Sequence, residues 1–224
     1  MKKKIIIIAL LGSILSIIIY FYTRKEEINI VSLGDGISIG MTPYNIEGYS
    51  YNDYLKNTYD NIHKLNKYYE FGSFGKTARE LIYEIKENKT KSFKEDKIEI
   101  QRAINEADIL TISIGMDELS EDKITKQMIL EYEDDIKELF SMINMLNNKE
   151  VFIIGLYTIK KEELASIERL NAILREEAIN NNFIFIDITN IVNKKEYYLD
   201  SKSYYINYQG HLAIYNEIKK YCKV

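Results

Sequence analysis

The sequence predicts one α/β domain in which helices cover both faces of a parallel β-sheet. Short, continuously apolar runs alternate along residues 26–224 with segments whose apolar residues recur at helical spacing. Runs that are apolar on both faces are typical of parallel strands, because helices bury both sides of such sheets. No repeat, proline-rich linker or change in composition divides residues 26–224, so we predict a single domain there.

Five runs are strand candidates, and they predict a five-stranded parallel sheet. They are INIVSL at 28–33, KYYEFG at 67–72, ILTISIG at 109–115, EVFIIGLY at 150–157 and FIFIDI at 183–188. Ligands of such sheets bind at the carboxyl ends of the strands. A site is therefore expected in the loops that follow these strands.

Six helix candidates connect and follow the strands. They lie near 50–61, 77–88, 95–107, 126–148, 162–181 and 209–222. In the fourth, Ile129, Tyr132 and Ile136 recur every three or four residues, which places them on one helix face. With the sheet between them, these helices make the predicted fold a three-layer sandwich.

Residues 5–22, IIIIALLGSILSIIIYFY, form an uncharged apolar run near the N-terminus. As a helix they span about 27 Å at roughly 1.5 Å per residue, which matches a bilayer core. Lys2, Lys3 and Lys4 precede the run, so the positive-inside rule predicts a cytoplasmic N-terminus. We therefore predict that residues 1–25 hold a lysine cluster and one transmembrane helix, with the C-terminal domain outside the cytoplasm.

A cleaved signal peptide is the alternative to this anchor. Signal peptides usually have a shorter apolar region that ends in small residues. The run at 5–22 ends in Tyr-Phe-Tyr, so an uncleaved single-pass anchor in the cell membrane is the better interpretation.

Composition and charge exclude some classes of function. Hydrophobic residues make up 46% of the chain, which is enough for a packed core. Residues 1–25 contain 5 of the 30 basic residues and none of the 34 acidic ones, so residues 26–224 carry a net charge of −9. This charge argues against a nucleic-acid partner. Cys222 is the only cysteine, so no intrachain disulfide can form.

Four loops carry motifs in a defined order, which are LGDGIS, FGSFGKTA, SIGMDEL and YYINYQGHLAI. With LNAILREEAINNNFIFIDI before the last of them, the sequence resembles the SGNH/GDSL hydrolase family of esterases and acyl hydrolases over residues 28–222. The resemblance implies a flavodoxin-like SGNH fold. It also implies a serine nucleophile with a histidine base and an aspartate. The oxyanion hole that it implies uses the serine backbone N–H, a glycine N–H in the second loop and an asparagine side chain in the third.

Four of these five family positions are substituted in this chain. The positions of serine, glycine, asparagine, aspartate and histidine are held by Gly36, Gly75, Asp117, Lys202 and Tyr205. Gly36 has no oxygen to attack a carbonyl, Asp117 opposes an oxyanion by its charge, and Tyr205 is a poor base at neutral pH. The resemblance therefore implies a hydrolase-like protein without catalytic activity.

Ser38 is an alternative nucleophile, displaced along the first loop, with Lys202 as its base. On that interpretation the protein is an active esterase or O-deacetylase of cell-envelope glycans with a rearranged site. A displacement of two residues turns the side chain away from the oxyanion hole. Ser38 is therefore more simply explained as a turn or helix-cap residue.

A cation site would use Asp35, Asp117, Glu118 and His211. Calcium sites usually have more closely spaced oxygen ligands. The aspartate of a Gly-Asp turn usually accepts hydrogen bonds from nearby backbone N–H groups, and we expect this of Asp35. We therefore expect no metal and no cofactor.

Five tyrosines are concentrated near the last loop, at positions 197, 198, 204, 205 and 208. Core packing or compositional bias is the simplest explanation for them. Aromatic side chains along a cleft also stack on sugar rings, which favours a cell-envelope polysaccharide as ligand. A third interpretation is a scaffold whose helices bind a protein partner.

The predicted anchor is tested by the location of the C-terminus. A reporter fused after Val224 should be active outside the cytoplasm, because residues 5–22 cross the membrane once. N-terminal sequencing of the mature protein is the control for cleavage. A cytoplasmic reporter, or a mature chain that begins near Thr23, would contradict the uncleaved anchor.

Overall fold

A computed structural model describes residues 27–93, 96–117, 124–147, 149–200 and 203–222. Its strands are β1 (Ile28–Gly34), β2 (Leu65–Glu70), β3 (Thr90–Phe93), β4 (Asp96–Glu99), β5 (Ile109–Ser113), β6 (Glu150–Ile154) and β7 (Ile184–Ile186). Five strands form a parallel sheet in the order β2-β1-β5-β6-β7, and β3 and β4 form an antiparallel hairpin. The predicted five-stranded parallel sheet is confirmed.

The helices are α1 (Tyr51–Asn61), α2 (Ala78–Lys86), α3 (Ile100–Glu106), α4 (Lys126–Leu146), α5 (Leu164–Asn180) and α6 (Tyr208–Ile218), with one 3-10 turn at Lys195–Tyr197. α1 packs against α6, and α4 packs against α2 and α5. All five residues of β5 are buried. Because successive side chains of a strand point to opposite faces, this burial requires helices on both sides of the sheet.

Capping interactions define where the site loops end and the helices begin. Thr77 caps α2 by accepting a hydrogen bond from the Glu80 N–H, and the Glu80 carboxylate accepts one from the Thr77 N–H. Asn207 caps α6 by accepting hydrogen bonds from the N–H groups of Gln209 and Gly210. Such caps satisfy N–H groups that lack partners within the helix, so the loops before α2 and α6 have defined ends.

The predicted helix at 95–107 is wrong in its first part, which forms the strand β4 and leaves a shorter helix, α3. The hairpin that contains β4 was not predicted. Phe93 on β3 packs against the rings of Tyr69 and Phe71, with centroids 5.0 and 5.7 Å away. Ile98 on β4 is buried, so contacts with the rest of the domain decide the conformation of this mostly polar segment.

Among the described residues, no helix has both the length and the apolar composition needed to cross a bilayer. The predicted anchor at 5–22 falls within residues 1–26, which lie outside the described part of the chain. It therefore stays a prediction.

Candidate functional site

The first site loop leaves the carboxyl end of β1 through Gly34, which lies against β5. The Gly34 φ angle is +143°, and a Cβ atom added there would lie 1.9 Å from the Ser113 carbonyl oxygen. The next N–H, that of Asp35, donates a hydrogen bond to the same oxygen over 2.9 Å. Glycine at position 34 therefore allows the loop to turn directly over the neighbouring strand.

Asp35 is completely buried and joins the first loop to the third. Its Oδ1 accepts a hydrogen bond from the Ile37 N–H over 3.1 Å, and its Oδ2 accepts one from the Met116 N–H over 2.8 Å. The prediction that Asp35 bonds to backbone N–H groups is confirmed. Burial, together with the nearby charge of Asp117, raises the pKa of the Asp35 carboxyl well above its ordinary value.

The carboxylate of Asp117 lies between the first and second loops. Its Oδ2 accepts hydrogen bonds from the Gly36 N–H over 2.9 Å and from the Gly75 N–H over 2.6 Å. These are the N–H groups at the two positions where the family resemblance implies backbone donors of an oxyanion hole. Asp117 thus does more than oppose an oxyanion by its charge, because its own oxygen occupies the place where those donors converge.

Tyr205 lies at the implied catalytic centre, in contact with Gly36 and Asp117. Its hydroxyl donates a short hydrogen bond to Oδ1 of Asp117. A Cβ atom added to Gly36 would lie 2.9 Å from Tyr205 Cε1 and 3.0 Å from its hydroxyl oxygen. No side chain at position 36 fits unless Tyr205 moves. The residues at the three substituted positions 36, 117 and 205 therefore fit together in space and in hydrogen bonding. Lys202, the fourth substituted position, lies outside the described residues.

Lys76 directly follows Gly75 in the sequence, and its side chain is buried. Its Nζ donates hydrogen bonds to the Glu84 carboxylate over 2.6 Å and to the Phe71 carbonyl oxygen over 2.7 Å. These contacts direct the charge of Lys76 toward α2. The buried carboxylates at 35 and 117 accept hydrogen bonds from four backbone N–H groups.

Ser38 is buried inside the first loop, and its hydroxyl donates a hydrogen bond to the Asp35 carbonyl oxygen over 2.6 Å. The Asn52 amide donates to the Ser38 carbonyl oxygen and to the Ser32 hydroxyl, over 2.9 and 2.7 Å. These contacts agree with the interpretation of Ser38 as a turn residue. They give its hydroxyl no access to an ester.

His211 is completely buried in the first turn of α6. Its Nε2 lies 3.5 Å from the Met41 carbonyl oxygen, whereas its Nδ1 has no hydrogen-bond partner among the described residues. Burial lowers the pKa of the imidazole to about 4. Within the described residues, no group of three or more His, Cys, Asp or Glu side chains is arranged to hold a metal ion. Glu118 lies outside that part of the chain.

The five tyrosines near the last loop do not form one aromatic wall. Tyr197 and Tyr198 are buried, and the Tyr198 hydroxyl donates to the Val192 carbonyl oxygen, as core packing predicts. Tyr208 is 58% exposed on α6. Tyr204 and Tyr205 alone among the five border the groove next to Asp117, and Tyr205 retains only 8% exposure.

A surface groove of about 370 Å³ opens above Tyr205. Its lining residues are Pro43, Asn45, Phe74, Leu199, Asp200, Ser203, Tyr204 and Tyr205. Phe74 is 61% exposed and its ring centroid lies 6.2 Å from that of Tyr205. Phe74 was not predicted as a site residue, although its place in FGSFGKTA, next to Gly75, is a signal that could have identified it.

The position of Asp117 predicts a large stability loss when its side chain is shortened. Asp117→Ala leaves two backbone N–H groups and the Tyr205 hydroxyl without their acceptor. We expect a loss of about 2–4 kcal/mol in the free energy of unfolding, with relief of repulsion at Asp35 offsetting part of the cost. Chemical denaturation followed by circular dichroism measures it. Asp134→Ala, an exposed control on α4, should change stability by less than about 0.5 kcal/mol. Similar losses for both variants would contradict this role.

The depressed pKa of His211 predicts acid sensitivity. Between pH 6.5 and 4 the unfolded chain binds a proton at this imidazole that the folded chain does not, so stability falls as the pH falls. Relative to His211→Gln, the wild-type protein should lose about 1.4 kcal/mol per pH unit in this window. Denaturation midpoints at pH 7, 6 and 5 measure the difference. His63→Gln, which replaces the exposed histidine, is the matched control. Parallel profiles for wild type and His211→Gln would refute the assignment.

Comparison with known proteins identifies the fold. No protein-family model and no curated protein matches the sequence. A catalytic mutant of the acetylxylan esterase Axe2 from Geobacillus stearothermophilus superposes with a TM-score of 0.66 and 17% identity, over 87% of this chain and 94% of that chain. The lipase Lip_vut3 from a goat rumen metagenome gives 0.68 and 15%, over 86% of this chain and 96% of that chain.

A third similar structure is LAE5, an α/β hydrolase from the metagenome of Lake Arreo in Spain. It superposes with a TM-score of 0.62 and 15% identity, over 87% of this chain and 94% of that chain. Identities this low show a shared fold and leave activity open. The order of the strands, the site loops at their carboxyl ends and these superpositions agree, and the chain therefore has the SGNH-type esterase fold.

Proposed function

We propose that this protein is a divergent, catalytically inactive SGNH hydrolase-like protein. Residues 5–22 anchor it in the cell membrane, and its folded domain lies outside the cytoplasm. The groove above Tyr205 binds a glycan of the cell envelope. The observation that carries the proposal is the Asp117 carboxylate, whose Oδ2 accepts the hydrogen bonds of both Gly36 and Gly75.

Asp117 opposes acyl transfer by both position and charge. An ester carbonyl gains negative charge as a nucleophile attacks it, and the donors of an oxyanion hole stabilise that charge. In this chain the two donors already bind a carboxylate oxygen. Loss of one donor in such a site typically lowers the rate about 100–1000-fold, and a carboxylate in its place is expected to be worse.

Among the residues that the structure describes, we find no nucleophile beside this hole. Gly36 has no side chain, the Ser38 hydroxyl donates a hydrogen bond within its own turn, and the Tyr205 hydroxyl donates one to Asp117. A covalent acyl intermediate needs an activated nucleophile next to the oxyanion donors. These three observations support the proposed absence of acyl-transfer chemistry.

The groove has the character of a carbohydrate-binding surface. Phe74 and Tyr204 provide aromatic faces, and Asn45 and Ser203 provide hydrogen-bonding groups. Axe2, which shares this fold, is named as an esterase of acetylxylan and of acetyl-xylooligosaccharide. A groove at the corresponding edge of the same fold supports a glycan as the ligand of this chain.

The direction of β1 favours an extracytoplasmic polymer, and not a membrane lipid, as the ligand of the groove. The proposed anchor ends a few residues before Ile28, which begins β1 at the amino edge of the sheet. The groove lies at the carboxyl edge, about 20 Å away at roughly 3.3 Å per residue of strand. A domain tethered at Ile28 thus presents the groove away from the bilayer.

An esterase assay tests the proposed loss of catalysis. The full chain, purified in detergent, should hydrolyse short activated acyl esters no faster than buffer, and Ser38→Ala should change nothing. Gly36→Ser should also be inactive, because its side chain meets Tyr205 and Asp117 still fills the oxyanion hole. Activity becomes feasible only when Gly36→Ser is combined with Asp117→Asn, Lys202→Asp and Tyr205→His. Wild-type turnover that Ser38→Ala abolishes would refute the proposal and establish the rearranged esterase.

A further inference from the structure

We propose that a second cavity extends the glycan groove and binds the carboxylate group of an acidic oligosaccharide through Lys161 and Lys195. This inference rests on the proposed glycan-binding function and specifies the class of glycan. It concerns a part of the surface that does not touch Asp117.

The second cavity measures about 550 Å³, and the loop that follows β6 forms part of its wall. Its lining residues are Thr158, Ile159, Lys161, Leu164, Asn193, Lys195, Tyr198, Leu199 and Asp200. Apolar and aromatic side chains make up part of the wall, while Thr158 and Asn193 provide polar groups. Its volume lies in the range of about 300–1,000 Å³ that is usual for ligand sites.

The two cavities are neighbours that share part of their walls. Leu199 and Asp200 line both of them, so one linear ligand can contact the two cavities by passing over this pair. The continuity indicates a ligand several units long rather than a single small molecule.

The lysines of this region differ in the contacts of their ammonium groups. Lys160 forms an ion pair with Glu163 over 3.1 Å and lies 3.6 Å from the centroid of the Tyr204 ring. Lys194 lies 5.3 Å from the centroid of the Tyr197 ring. Lys161 and Lys195 line the cavity, and neither has an ion-pair partner in the part of the chain that the structure describes.

The anions around the cavity leave an excess of positive charge. The Asp200 carboxylate accepts hydrogen bonds from the Ser203 N–H over 3.0 Å and from its hydroxyl over 3.2 Å. The Glu163 carboxylate forms an ion pair with Lys160 and accepts hydrogen bonds from the hydroxyls of Thr158 and Tyr204. Two lysines against one aspartate give the cavity lining a formal charge of +1.

That charge complements a monoanionic sugar. Residues 26–224 carry a net charge of −9, so an acidic polymer is repelled by most of this domain. A cavity of charge +1 matches one carboxylate better than a phosphate monoester, which carries nearly two negative charges. A mostly neutral glycan that places a single sugar carboxylate in this cavity is therefore the occupant that the charges favour.

Binding of matched acidic and neutral glycans to the full chain in detergent tests the inference. The probes are trisaccharides with one uronate ring (galacturonate, mannuronate or glucuronate) and two neutral rings, each with its neutral methyl ester, and a sulfated oligosaccharide. At low ionic strength at least one uronate trisaccharide should bind about 10-fold more tightly than its ester, and salt should reduce the difference. Lys161→Gln with Lys195→Gln should abolish this preference.

Two sets of variants separate the possible outcomes. Lys64→Gln with Lys97→Gln removes the same charge far from the groove and should keep the preference for the uronate. Phe74→Ala should weaken binding of acid and ester alike, because Phe74 belongs to the proposed glycan groove. Equal binding of acid and ester, or a preference for the sulfated probe alone, would overturn the inference and leave the glycan groove standing. No binding of any glycan would overturn both, independently of the esterase result.

Discussion

The carboxylate of Asp117 is the contact on which the arrangement of the site loops depends. The Gly36 N–H from the first loop, the Gly75 N–H from the second and the Tyr205 hydroxyl from the last converge on its two oxygens. A buried donor without an acceptor costs about 1–3 kcal/mol. One side chain of the third loop thus satisfies groups from three others, and the carboxyl edge of the sheet is held together at this point.

The same geometry gives a physical basis for the proposed loss of acyl transfer in this chain. In hydrolases with an oxyanion hole, backbone N–H groups face a negative oxygen that exists only during the reaction. In this chain the corresponding groups face a permanent carboxylate. Two buried carboxylates, Asp35 and Asp117, then lie close enough for their charges to interact, which contributes to the raised pKa of Asp35. Hydrogen bonds to Ile37 and Met116 limit the cost of burying that group.

Much of the fold could be predicted from hydrophobic patterns. The apolar runs that became β1, β5 and β6 are long enough to identify strands, and helical periodicity located α4 within two residues of its end. The hairpin of β3 and β4 was missed because its residues are mostly polar and carry no such pattern. Phe93 is held there by ring contacts with Tyr69 and Phe71, which lie more than 20 residues earlier in the sequence, and Ile98 is buried.

The sequence by itself determined which groups were missing from the implied catalytic centre, since the identities of Gly36, Asp117 and Tyr205 can be read directly. Only the tertiary structure decided that Asp117 accepts hydrogen bonds from both Gly36 and Tyr205. Asp117 lies 81 residues from Gly36, 42 from Gly75 and 88 from Tyr205 along the chain. Hydrogen bonds form within about 3 Å, so such partners meet only when the sheet aligns the carboxyl ends of its strands. Local patterns carry no information at that distance.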